Sequence, residues 1–229
     1  MFLYETHLHT YPVSRCAHAG VREVAEFYKN AGYAGIFITN HFLDGNINID
    51  SNLPYEERIH FYFSDYEQAV QVGREIGLDV FCGVEMSHYG TDFLIYGLDK
   101  QWFLAHPEIM GMEKSEQLRL MDEYGALIIQ AHPFRAAFYI DHIRLFPSRV
   151  HGAEIYNGAN TEFENKLAKQ YAENFDLIPF AGTDNHFDKK RQWFGGMQTD
   201  TPIADEADFV DRVKNGRAVP FCREIGDAT

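Results

Sequence analysis

Short apolar runs rich in β-branched and aromatic residues alternate along the chain with longer stretches in which apolar positions recur every three or four residues. Seven runs, "MFLYETH", "AGIFITN", "DVFCGVE", "DFLIYGL", "ALIIQAH", "GAEIYN" and "LIPFAGT", are bounded by turn residues and nearly continuous in apolar character, which predicts strands buried on both faces. Helical spacing lies between several of them: "VREVAEFYKNAGY", "SDYEQAVQVGREIG" with Ser64 as N-cap and Gly77 as stop, "KSEQLRLMDEYG" closed by Gly125, and "TEFENKLAKQYAENF" capped by Thr161. This alternation predicts parallel βαβ units. Seven of them in 229 residues predict an α/β fold of TIM-like barrel type in one domain spanning residues 1–229, with a doubly wound open sheet as the rival.

The stretch "ADEADFVDRVKNGRAVPF" predicts one more helix and a terminal extended segment. Residues 42–63 are long for a strand-to-helix connection and carry a knot of aromatics, so they predict a lid over the barrel mouth, against the plainer reading of surface packing by His60, Phe61, Tyr62 and Phe63. Residues 99–113 match neither pattern.

The chemistry sits where the apolar runs stop. His7 and His9 end the first, His41 the second, Glu85 the third, His132 the fifth, and Asp184 with His186 the seventh. In a parallel barrel these positions share the C-terminal face, where active sites of that architecture lie. His7 and His9 flank one leucine, so in an extended strand both imidazoles point to the same side. That pair alone is weak, since about 0.5 such pairs are expected by chance from 11 His in 229 residues. The ring as a whole is informative, because imidazoles mixed with carboxylates suit Zn²⁺, Fe²⁺ or Mn²⁺ better than Mg²⁺ or Ca²⁺. It holds more donors than one ion needs, which implies two or three divalent ions bridged by Glu85 and Asp184.

Composition narrows the partners. With 20 basic and 34 acidic residues the net charge is −14, which disfavours long nucleic acid. Cys16, Cys82 and Cys222 form neither a disulfide framework nor a thiolate zinc motif, and no targeting or membrane-spanning run is present, so a cytoplasmic protein without a membrane partner is expected. No feature speaks to oligomeric state.

The segments "THLHT", "SRCAHAG", "ITNH", "CGVEM", "QAHPF" and "AGTDNH" resemble, in order and spacing, the motifs of the PHP (polymerase and histidinol phosphatase) family over residues 4 to about 196. The resemblance implies a distorted (β/α)7 barrel with up to three divalent metals at the C-terminal ends of the strands and hydrolysis of phosphoesters by a metal-activated hydroxide. By position it implies ligation by His7, His9, His18, His41, Glu85, His132, Asp184 and His186, with His18, His41 and His186 sharing one ion. Two departures stand out: Asn40 replaces a usual Asp, and Asp92 occupies the place of a usual ligand His in the fourth run, with His88 as its competitor. Arg135 is the foremost candidate to hold phosphate, ahead of Arg15, Lys189, Lys190 and Arg191, while Glu154 and Asn157 end the sixth run as support or substrate contacts. The expected substrate is a small phosphomonoester or a nucleotide-like phosphodiester. Hydrolysis of a non-phosphate ester or amide, or a non-catalytic metal-binding module, are the alternatives.

Overall fold

The computed structural model describes residues 1–187 and 193–224, and the expected Lys189, Lys190 and Arg191 lie outside them. All seven predicted strands form: β1 (Phe2–Glu5), β2 (Gly35–Ile38), β3 (Asp79–His88), β4 (Thr91–Tyr96), β5 (Leu127–Ala131), β6 (Gly152–Asn157) and β7 (Ile178–Gly182). Two more, β8 (Trp193–Thr199) and β9 (Val219–Glu224), extend the sheet, whose order is β7-β6-β5-β4-β3-β2-β1-β8-β9. The helices are α1 (Val21–Asn30), α2 (Tyr55–Ile76), α3 (Lys100–Ala105), α4 (Lys114–Glu123), α5 (Glu162–Asn174) and α6 (Glu206–Lys214), with a 3₁₀ turn over Pro107–Gly111.

The sheet curls into a nearly closed barrel. β1 and β7 come together just past their last residues: Asp184 donates its backbone N–H to the His7 carbonyl at 2.7 Å, His9 donates to the Asn185 carbonyl at 2.9 Å, and Leu8 bridges Asn185 in parallel. Behind this seam the buried Glu5 carboxylate accepts backbone N–H groups from Thr6, His7 and Thr183 and the Thr183 hydroxyl, so one acid joins both strands.

Among the seven predicted strands the parallel order breaks at β4. Only two residues separate β3 from β4, too few for a parallel crossover, so the pair forms a hairpin through Tyr89 and Gly90, both at positive φ. Thus β4 runs antiparallel to β3 and β5, and its first residues, Asp92 among them, lie at the barrel mouth. β8 was hidden because Gly195 and Gly196 interrupt its apolar run. Those glycines are needed: a Cβ on Gly196, at φ +143°, would stand 2.0 Å from the Tyr4 carbonyl oxygen where β8 pairs with β1.

α2 corrects two expectations. It begins at Tyr55 after Pro54, so Ser64 lies inside it and donates its hydroxyl to the Phe61 carbonyl instead of capping a start. Nothing in "YEERIHFYF" breaks a helix, and its Tyr62 and Phe63 pack into the core against Phe42 and Phe103, so the aromatic part of the lid expected over residues 42–63 is packing, while Asn46 of its loop part borders the barrel mouth. Gly77 does stop α2 at φ +70°, and Thr161 caps α5 with a reciprocal bond from Glu164. Residues 99–113 supply α3 and the 3₁₀ turn.

The bottom of the barrel is shut. Phe209 of α6 packs on Phe37, Tyr96 and Phe180 among the interior residues, so access is left to the opposite mouth. The expected terminal helix is therefore a plug.

Candidate metal centre

Short-range backbone order aims the donors. His7 and His9 extend β1 past its last ladder pair, and Leu8 between them turns outward beneath Val21, Val24 and Ile36, leaving both imidazoles directed inward. His41 follows β2 and bridges Glu85 of β3. His132 and Asp184 leave β5 and β7 at φ 29° and 53°, a left-handed conformation that costs a non-glycine residue about 1–3 kcal/mol. Backbone bonds hold it: His132 N–H donates to Glu154 and Asp184 N–H to His7.

The two carboxylates face overlapping imidazole sets that share His7 and His9. Glu85 Oε1 lies 3.1 Å from His7 Nε2 and 3.4 Å from His132 Nε2, whereas its Oε2 lies 2.7 Å from His41 Nδ1 and 3.4 Å from His9 Nε2. Asp184 Oδ1 lies 3.1 Å from His9 Nε2, 3.4 Å from His186 Nδ1 and 3.5 Å from His7 Nε2. Three donor trios have ligand atoms mutually within 4.8 Å: His7, Glu85 and His132; His7, His9 and Asp184; His9, His41 and His186. Glu85 Oε2 and His41 Nδ1 lie 2.7 Å apart, an ion-pair distance. The donor chemistry and its spacing fit divalent cations.

Burial and charge act together on these groups. Desolvation opposes charge on His7, yet Glu154, Asp184 and Glu85 outweigh it and raise its pKa well above the usual histidine value. His41 is raised likewise, by Glu85 against its own burial. His9 moves the other way, pushed well down by burial and by the neighbouring His186 and His41. Burial opposes ionisation of Glu85 and Asp184, but the surrounding histidines, with Arg135 foremost for Asp184, hold both well below the carboxylate range. Asp92 is raised by burial and by Glu85. Histidine protons and the Arg135 guanidinium thus balance the carboxylates, and metal ions would take over that role when bound.

A second layer of polar groups fixes the first. Glu154 accepts from His132 N–H at 3.0 Å and Asn157 Nδ2 at 2.8 Å, and its other oxygen meets His7 Nδ1 at 2.9 Å. Asn40, where the resemblance implies Asp, accepts the Thr10 N–H and the Ser14 hydroxyl through its amide oxygen and donates to Asp65. Ser14 Oγ in turn meets His9 Nδ1 at 3.1 Å and accepts the His41 N–H. The supporting charge has moved back to Asp65 on α2. Sequence reading missed Ser14, Asp65 and Glu5; Glu5 alone had a signal, an acid inside an apolar run.

Other expected residues divide. Asp92 reaches the mouth with Oδ2 3.5 Å from His132 Nε2, whereas His88 packs edge-on against Tyr89 and Phe146. Arg135 Nη2 lies 2.6 Å from Asp184 Oδ2 and 3.0 Å from Asn157 Oδ1, inside a cleft of about 460 Å³ walled also by Cys16, Asn46 and Tyr139. Arg15 is exposed and donates to the Ile47 carbonyl. His18 is exposed: its backbone N–H is bound to the His186 carbonyl, but its side chain is not among the convergent donors.

No family model and no curated protein matches the chain. Solved structures do. A two-domain protein from Bacteroides vulgatus, containing a predicted PHP-like metal-dependent phosphoesterase, superposes with TM-score 0.67 at 13% identity over 96% of this chain and 64% of its own. A protein from Bifidobacterium adolescentis with the provisional name of metal-dependent phosphoesterase gives 0.55 at 13% identity over 82% and 88%. An amidohydrolase from Chromobacterium violaceum, solved with sulfate and no metal, gives 0.54 at 13% identity over 94% and 97%. This chain spans just under two thirds of the length of the two-domain protein. The likeness to all three is one of fold.

Proposed function

We propose that the chain is a metal-dependent hydrolase of phosphoric esters, acting on a small phosphorylated substrate in the cleft at the barrel mouth. The observation that carries this reading is Glu85, whose two oxygens each face a separate imidazole pair, as a carboxylate shared between ions would. His7, His9, His41, Glu85, His132, Asp184 and His186 would hold two or three ions, with Asp92 as a further oxygen donor at the rim. Zn²⁺, Fe²⁺ and Mn²⁺ suit this mixture of nitrogen and oxygen donors. Such ions, when bound, supply an activated water at neutral pH and neutralise charge on phosphoryl oxygens.

The chain's own groups do the positioning. Glu154 accepts from His7 Nδ1 and so keeps the opposite ring nitrogen, Nε2, turned toward Glu85 and Asp184. Arg135 presents a guanidinium on the cleft wall, braced by Asn157 and Asn160, where it can exchange Asp184 Oδ2 for a phosphate oxygen. A volume of about 460 Å³ suits a metabolite or mononucleotide, and the net charge of −14 works against a polyanionic chain. No described helix is long and apolar enough to cross a membrane.

The test is turnover by metal-loaded protein across phosphomonoesters, phosphodiesters, carboxylic esters and amides, with chelated protein and Asp184→Asn as controls. Phosphoester turnover that needs metal and is lost in the variant is expected. Turnover confined to amides or carboxylic esters, the arm that the amidohydrolase neighbour makes worth including, or none at all, would overturn it.

A further inference from the structure

We propose that Ser14 is a positioning residue of the metal centre: its hydroxyl oxygen keeps a hydrogen on His9 Nδ1 and so presents the Nε2 lone pair to the ions; this rests on the metal-site reading above. Hydrogens can be counted along a buried chain of polar groups that starts on α2. Asp65 Oδ2 takes the Thr10 hydroxyl at 2.7 Å, and the Val13 N–H and Asn40 Nδ2 each at 3.3 Å. Asn40 Nδ2 also donates to Thr10 Oγ1 at 2.8 Å, so the single Thr10 hydroxyl hydrogen is committed to Asp65. The Asn40 amide is oriented from both ends: the carboxylate takes its NH₂, and its oxygen accepts the Thr10 backbone N–H at 2.7 Å. What faces Ser14 is therefore an oxygen that carries no hydrogen.

A serine hydroxyl has one hydrogen and two lone pairs. The Ser14 hydrogen goes to Asn40 Oδ1 at 2.8 Å, because any other direction would leave two oxygens facing each other unbonded inside the protein. One lone pair takes the His41 backbone N–H at 3.0 Å. The other meets His9 Nδ1 at 3.1 Å, and that contact is a hydrogen bond only if the imidazole supplies the hydrogen. A neutral His9 then has a bare Nε2, which lies 3.1 Å from Asp184 Oδ1, 3.4 Å from Glu85 Oε2 and 3.4 Å from His7 Nε2. Glu154 acts alike on His7 Nδ1, so both Nε2 atoms are offered to the same space. Ser14 is held in place by its own backbone, which donates to the Thr10 carbonyl at 3.0 Å and bridges Ile47. One oxygen thus holds two members of the trio His9, His41 and His186.

The experiment is NMR on the zinc-loaded chain with ¹⁵N-labelled histidine, beside elemental zinc counting and a zinc titration of Ser14→Ala. His9, assigned by the signals lost in His9→Gln, should show hydrogen on Nδ1 and zinc on Nε2. Ser14→Ala should shift that Nδ1 hydrogen, weaken zinc binding about 10–100-fold at the trios that contain His9, and keep the ion of His7, Glu85 and His132. A residue that served packing alone would weaken all ions together. Three results would overturn the assignment and leave the metal centre standing: a bare His9 Nδ1 in the zinc-loaded parent chain, which needs no variant at Ser14, or a folded Ser14→Ala that binds zinc as the parent does, or one that loses every ion at once. Absence of zinc binding by the parent chain would overturn both.

Discussion

Replacing Glu154 by Gln removes one charge from beneath the cluster without changing side-chain size, and the hydrogen bonds around the carboxylate determine the effect. The carboxylate only accepts: one oxygen takes His132 N–H and Asn157 Nδ2, and the other takes His7 Nδ1. Glutamine keeps one acceptor. If its oxygen stays with His132 and Asn157, its NH₂ faces His7 Nδ1 and favours the tautomer with hydrogen on Nε2, the nitrogen aimed at Glu85 and Asp184. If the amide flips, NH₂ meets two other N–H donors. The flipped form mismatches a buried contact, which costs about 1–3 kcal/mol of stability, and the unflipped form keeps its hydrogen bonds but turns an N–H instead of the His7 lone pair toward the site. Loss of such a partner typically weakens metal binding about 10–100-fold, which corresponds to about 1.4–2.7 kcal/mol. The assay is zinc titration against a competing chelator at pH 7, with thermal unfolding alongside. Zinc affinity within twofold of the parent chain would refute the reasoning, since Glu154 would then not be orienting a ligand.

Thr161→Ala is the matched control: it removes the reciprocal cap of α5, should cost about 1 kcal/mol and lower Tm by about 2–4 °C, and should leave zinc affinity unchanged in the same titration. Gly182→Ala should impair both properties, because the new Cβ would stand 2.4 Å from His7 Cβ and 2.7 Å from Glu154 Oε1; calorimetry and zinc counting check this. Zinc at about 100 times its Kd should stabilise the fold by about 2.7 kcal/mol and raise Tm by roughly 5–10 °C, reversed by chelator. In chelated protein, burial opposes ionisation of Cys16, but hydrogen bonds and charge from His186 and His41 overcome it and bring the thiol down to about 6. Its alkylation rate should therefore rise through pH 6, with thiolate above and unreactive thiol below, while Cys82, raised by burial, stays unmodified until the chain unfolds. A rate that rises only near the ordinary thiol range contradicts this.

The strands were legible because burial on both faces leaves continuous apolar runs, and the ring of donors because each run stops at the same rim. What escaped depends on contacts distant in sequence. Gly195 and Gly196 look like strand breakers until β1 is placed against them. The β3–β4 hairpin preserves the apolar rhythm of a parallel barrel while reversing one strand, which is why Asp92 reaches the mouth from the start of its strand. Ser64 resembles a cap in composition but lies mid-helix, since helix starts are set by what precedes them, here Pro54. His18 and Cys16 show the same limit at the site. Two residues apart, one faces solvent and the other faces the cleft, and loop bonds to Asn46 and His186 decide which.

The central claim, that Glu85 and Asp184 tie the histidines of the barrel mouth around more than one divalent ion, is tested most directly by diffraction from zinc-loaded crystals collected on both sides of the zinc absorption edge. At least two anomalous peaks are expected among His7, His9, His41, Glu85, His132, Asp184 and His186, with Glu85 touching two of them. A zinc-saturated protein showing no peak there, or a single ion that leaves one Glu85 oxygen without metal, would contradict the account.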